Sequence, residues 1–215
     1  HSFPTRRSSD LLYRVSDFCF LVLYYVVGYR KKVVRKNLRN AFPEKSEEEI
    51  RDLSRKFYRY FCDLLLETLK TLTISPRQVS ERLNFNTGSV FRKYADEGRS
   101  VIIVMGHWGN WELAGARFSQ EDWHQLYVIY HPLKNRRFNR LIVHMRTRHG
   151  TKLYPMKNVA RSMLEHRKEL TATAFIADQT PLPDRAYWTT FLHQDTPFFT
   201  GTGKLANKFN YPVVY

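Results

Sequence analysis

From Ser100 onward the chain alternates short apolar runs with amphipathic stretches. Val101 to Met105, Leu126 to Tyr130 and Thr171 to Ala177 are almost unbroken apolar runs, the pattern of strands covered on both faces. Between them, from Trp111 to Phe118, Arg136 to Arg148 and Asn158 to Arg167, the apolar positions recur at helical spacing. Strands separated by helices of this length need crossover connections, so the pattern predicts an α/β fold with a largely parallel central sheet flanked by helices. Ligands of such sheets bind in the loops at the carboxyl ends of the strands, here the residues after Met105, Tyr130 and Ala177. Upstream, Ser46 and Glu49 stand at capping-box spacing ahead of Ile50, Leu53, Phe57, Phe61, Leu64 and Leu65. That predicts a helix with one face on a core, and its aromatic residues are assigned to packing rather than chemistry.

The ends read differently. Phe18 to Gly28 carries no charge, and Arg30, Lys31, Lys32, Arg35, Lys36 and Arg39 follow at once. So short a run falls below the roughly 20 residues a bilayer-spanning helix needs. With further apolar residues ahead of it the segment could span. Without them, an apolar stripe beside a basic cluster predicts an interfacial anchor on anionic lipid, the like charges otherwise repelling one another, against the alternative of a buried N-terminal helix with a solvated basic end. Residues 1–12 have no periodicity and read as a non-native scar, 13–40 as a membrane-associating segment, and 41–215 as one α/β domain. Asn210 to Tyr215 reads as the start of a buried strand, from which the natural protein is expected to continue.

Length and charge narrow the classes. The 215 residues suit a single domain, and 43% hydrophobic with 15% aromatic residues excludes a disordered basic tail. A formal charge of +15 points to an anionic partner, whether nucleic acid, phospholipid headgroup or phosphorylated substrate. Cys19 and Cys62 lie in apolar or amphipathic settings and read as reduced thiols. No HExxH or clustered Cys/His spacing is present, so no metal is expected.

Two of the three post-strand loops hold candidate chemistry. Gly106-His-Trp-Gly-Asn-Trp-Glu112 puts His107 at the end of the first strand and Glu112 in the first turn of the next helix. A carboxylate on one imidazole nitrogen fixes the tautomer and leaves the other nitrogen as a general base, so the two are read as a catalytic pair. Asn110 is placed as the N-cap, where helix-start amides would help bind an anion. Asp178, leaving the third apolar run, is either a turn former or a polar contributor to the site. Between Asp122 and Glu165 there is no acidic residue but many basic ones, Arg136, Arg137, Arg140, Arg146 and Arg148 among them. A one-sign stretch of that kind favours an anionic substrate. Phe198 to Lys204 is glycine-rich without phosphate-loop spacing and reads as a turn into a helix ending near Asn210.

Together GHWGNWE, RTRHGTKLYP, AFIADQTP and FFTGTGKLA resemble, in order, the lipid A biosynthesis acyltransferase family of the lysophospholipid acyltransferase superfamily. The tract YYVVGYRKKVVRKNLRNAFPEKS resembles that family's N-terminal segment. The resemblance implies a glycerolipid-acyltransferase-like fold and an O-acyltransferase at the cytoplasmic face of the bacterial inner membrane. It would move acyl chains from acyl carrier protein, as a thioester co-substrate with no further cofactor, to a hydroxyl of an anionic glycolipid, a lipid A precursor. His107 and Glu112 then match the HX4D/E motif, Asp178 the later acidic block, and Arg146 or Arg148 the arginine of the site. Asp178, Asn110 and the arginine are expected to bind substrate. Another anionic glycolipid, such as a phosphatidylinositol mannoside, is an alternative acceptor. A basic nucleic-acid-binding protein is the rival reading from another class, supported by charge alone, and nucleic acid is not the expected partner.

Overall fold

The computed structural model describes residues 10–86 and 88–215. Most of the segment read as a scar therefore lies outside the described residues; Asp10 to Leu12 begin the first helix. The chain divides into two compact units, one of residues 1–70 with 188–197 and the other of residues 71–187 with 198–215.

The first unit is built on three helices. Helix α1 (Asp10–Leu21) widens into a π-helical segment, Val22–Val27, and stops at Gly28, whose φ of +64° suits a residue without Cβ. Helix α2 (Lys31–Ala41) leaves at 96° to the run Leu11–Val27, and no single described helix is long and apolar enough to cross a membrane. Helix α3 (Glu47–Lys70) starts at the expected capping box: Ser46 N donates to Glu49 Oε2 at 2.9 Å and Glu49 N to Ser46 Oγ at 3.3 Å. Phe20 and Tyr24 of the first helical run pack on Tyr58 and Cys62 of α3. Residues 13–40 are thus folded onto α3.

The basic cluster is less self-repelling than its sequence suggests. Lys31 Nζ lies 3.9 Å from the Tyr24 ring centre, Arg35 donates to Tyr24 Oη at 3.2 Å, and Arg39 forms a forked ion pair with Glu47. Three of the six cations are therefore matched inside the unit.

The second unit carries the sheet. Strands β1 (Val101–Met105), β2 (Gln125–Tyr130), β3 (Lys152–Pro155), β4 (Thr171–Ile176) and β7 (Val213–Val214) pair in parallel in the order β3-β2-β4-β1-β7. The fold is α/β with a parallel central sheet flanked by helices. Alternate side chains serve opposite faces. Val101, Ile103 and Met105 join Phe91, Phe118 and Trp123 on one face; Ile102 and Val104 join Tyr154, Met163 and Ala206 on the other. That two-sided burial is why the runs read as unbroken.

Helices α4 (Pro76–Arg82) and α5 (Gly88–Asp96) precede β1, α6 (Trp111–Phe118) follows it, α7 (Arg136–Thr147) follows β2, and α8 (Val159–Glu165) precedes β4. Strands β5 (Ala186–Phe191) and β6 (Gln194–Phe199) form a separate ribbon. Its turn residues Leu192 and His193 both take positive φ, the geometry of a tight two-residue connection. Helix α9 (Gly201–Phe209) ends at Asn210 in the left-handed region, as the FFTGTGK tract predicts.

Candidate active site

The register of β1 against β4 places the central pair. Met105 lies opposite Ile176, so His107 and Asp178, each two residues farther along, leave adjacent strands side by side. Asp178 grips His107 twice. Its Oδ1 lies 2.7 Å from His107 Nδ1, and its Oδ2 accepts from the His107 backbone N–H at 2.6 Å. A carboxylate only accepts, so Nδ1 carries a proton, and in the neutral ring the lone pair is on Nε2. Gln179 Nε2 stands 3.5 Å from His107 Nε2, too far to occupy it. A Cβ at Gly106 would lie 3.1 Å from Asp178 Oδ2, so glycine there permits the grip. The Trp111 ring packs edge-to-face on the imidazole, centroids 4.6 Å apart.

The expected meeting of His107 and Glu112 is not formed, and this corrects the sequence reading. Both oxygens of Glu112 are engaged by Arg146 of α7: Nε at 3.0 Å from each and Nη2 at 2.6 Å from Oε1. The pair is largely buried, its side chains 21% and 11% exposed. Helix α6 carries Glu112 away from the strand end toward α7, while β4, inserted between β1 and β2, delivers a nearer carboxylate.

The two candidate arginines make different contacts. Arg146 lines the cavity with His107. Arg148 donates to Thr71 O at 2.7 Å and Ile74 O at 2.9 Å, bracing the stretch before α4, and does not line that cavity. Asn110 is the N-cap as expected, accepting from Leu113 N at 2.9 Å. It is buried at the start of α6.

A cavity of about 480 Å³ lies at the carboxyl edge, with His107, His131, Arg146 and Gln179 set among apolar side chains such as Phe138 and Phe199. A smaller one of about 230 Å³ lies under Trp111 and Glu112 among Phe85, Phe91 and Phe118, and Arg146 borders both. A mostly apolar hollow with a few convergent polar groups suits an amphiphile with an anionic head. Sequence reasoning missed His131, Gln179 and the wall from Phe199 to Leu205. The available signal was their position just after β2, β4 and β6. Among the described residues no group of three or more His, Cys, Asp or Glu is arranged to hold a metal.

The site is thus a histidine–carboxylate pair at adjacent ends of a parallel α/β sheet, opening on a mostly apolar cavity that Arg146 also lines. The chain belongs to the family described as bacterial lipid A biosynthesis acyltransferase, whose profile matches residues 9–215, and it is an acyl-transferring enzyme of that type. A comparison with curated proteins finds none that matches.

Proposed function

We infer that the enzyme moves a fatty acyl chain from acyl carrier protein to a hydroxyl of a lipid A precursor, at the cytoplasmic face of the bacterial inner membrane. The observation that carries this reading is His107, held by Asp178 through Nδ1 and lining an apolar cavity that also contains Arg146. His107 Nε2 takes the proton of the acceptor hydroxyl as its oxygen attacks the thioester carbon. The tetrahedral oxyanion then collapses, expelling the thiolate of the carrier, to which His107 returns the proton. Asp178 orients the imidazole and stabilises its charged form. Arg146 offers charge to an acceptor phosphate or to the oxyanion, and Glu112 is a positioning residue that holds Arg146. The acyl carrier thioester is the only co-substrate this chemistry requires.

Membrane contact by the helical unit is supported by Leu11, Val15, Phe18, Leu21 and Tyr25, which stay exposed along one side of the first helical run. Arg30 at the N-cap of α2 and Lys32 and Lys36 on that helix follow. The test is transfer from acyl carrier protein thioesters to a panel of acceptors that includes a lipid A precursor and a phosphatidylinositol mannoside. His107→Ala is expected to lower turnover by about 10²–10⁴-fold. Near-normal turnover by a folded His107→Ala protein removes the general-base assignment, and preference for the mannoside changes the acceptor.

A further inference from the structure

The loops leaving the carboxyl edge of the sheet each carry large apolar side chains that the fold leaves in solvent. Trp108, next to His107, is 89% exposed, and Leu182 after β4 is 72% exposed. Leu133 and Phe138 after β2 and Met156 after β3 are exposed too. These last three also line the 480 Å³ cavity, so its apolar wall continues outward to the rim. Single exposed apolar residues are ordinary. Several on the loops of one edge, three of them lining the same opening, mark a contact surface.

Charge identifies what the surface meets. Lys134, Arg136, Arg137 and Arg140 stand among the rim residues, exposed and in no side-chain ion pair among the described residues. Asp184 and Arg185 after β4 offset each other. A second copy would bring +15 against +15. An acidic protein would match the cations but would bury the apolar rim and close the opening. An anionic lipid surface matches both, because its phosphates face the cations while its acyl boundary takes the apolar side chains and leaves the cavity open to a lipid.

We propose that the carboxyl edge of the catalytic unit seats on an anionic bilayer, with Trp108 and Leu182 at the headgroup–acyl boundary and Lys134, Arg136, Arg137 and Arg140 on lipid phosphates. The acceptor then enters from the lipid without crossing water. This rests on the reading of the acceptor as a membrane lipid, and it concerns residues of the catalytic unit alone.

The experiment uses the full chain with phosphatidylglycerol-rich vesicles whose lipids are brominated high on the acyl chain, read by tryptophan fluorescence. Quenching is expected for the parent protein, mostly lost in Trp108→Phe and retained in Trp188→Phe. Replacing Lys134, Arg136 and Arg137 with Gln should weaken vesicle binding on the order of tenfold at low salt, less at high salt. Leu182→Asp, far from the core, should reduce flotation with vesicles while the protein stays folded. Equal quenching in Trp108→Phe overturns the proposal, as does a Trp108 signal that answers to soluble acyl carrier protein and not to vesicles. Neither readout needs turnover. Vesicle contact without acyl transfer would count against the catalytic reading alone, and acyl transfer in detergent with a silent Trp108 against this one alone.

Discussion

Asp178→Asn separates the two carboxylates. In the parent, Oδ2 accepts the His107 backbone N–H and Oδ1 accepts from Nδ1. An asparagine that keeps the backbone bond turns its amide N–H₂ toward Nδ1. The imidazole must then accept there and carry its proton on Nε2, where the acceptor hydroxyl needs a lone pair. In a Ser-His-Asp triad this tautomer error costs about 10⁴ in kcat. Here the Asp178 side chain is 44% exposed and water can relieve part of the mismatch, so about 10²–10³ is expected, some 3–4 kcal/mol of transition-state stabilisation. KM should barely move. The decisive assay is a double-mutant cycle on single-turnover acyl transfer, with folding checked by circular dichroism. In a His107→Ala background Asp178→Asn should cost nothing more, because the two act as a unit. Glu112→Gln should still cost its own factor there, because it acts through Arg146. If Glu112→Gln becomes silent in that background while Asp178→Asn keeps its cost, the partner assignment is reversed and the geometric argument fails.

Other expectations follow from single contacts. Gly106→Ala presses a Cβ to within 3.1 Å of Asp178 Oδ2 and should lower kcat roughly tenfold with KM held; an unchanged kcat would mean the grip is not needed. Arg148→Met removes two donors from the carbonyls before α4 and should lower unfolding free energy by about 1–2 kcal/mol without changing turnover per folded molecule. Burial holds His124 below the ordinary 6.5; its Nε2 faces Arg99 O at 3.0 Å and its Nδ1 is buried without a partner. The unfolded chain therefore binds more protons, and stability should fall as pH drops through 6.5, by up to about 1.4 kcal/mol per pH unit. His149, lowered by burial and then by Arg148, adds in the same direction. Denaturant titrations of His124→Gln should show a shallower acid slope, and an identical slope would exclude this residue.

The sequence reads well where structure is local. Unbroken apolar runs disclose β1, β2 and β4 because both sheet faces are covered, and the Ser46–Glu49 box marks the start of α3 because a cap is a matter of spacing. Strand β3 escapes notice because Lys-Leu-Tyr-Pro is short and half exposed, and the β5–β6 ribbon because its turn uses Leu192 and His193 rather than Asn-Gly. His107 is legible from its strand end, but its partner is not. Local spacing offers Glu112, whereas the bonded carboxylate comes from a neighbouring strand 71 residues away. Strand order is a tertiary outcome that no nearby residue encodes. The same limit left Arg146 and Arg148 equivalent on paper, although one faces the cavity and the other a loop.

Strand β1 depends on what is synthesised after it. Both its neighbours, β4 and β7, come later in the chain. While the polypeptide emerges, His107 therefore sits at the end of a strand with no partner until Thr171 to Ile176 arrives and inserts between β1 and β2. His107 cannot acquire the Asp178 carboxylate before β4 has paired with β1, so the site should form late in folding. A half-made chain would then be unable to spend acyl thioesters on water.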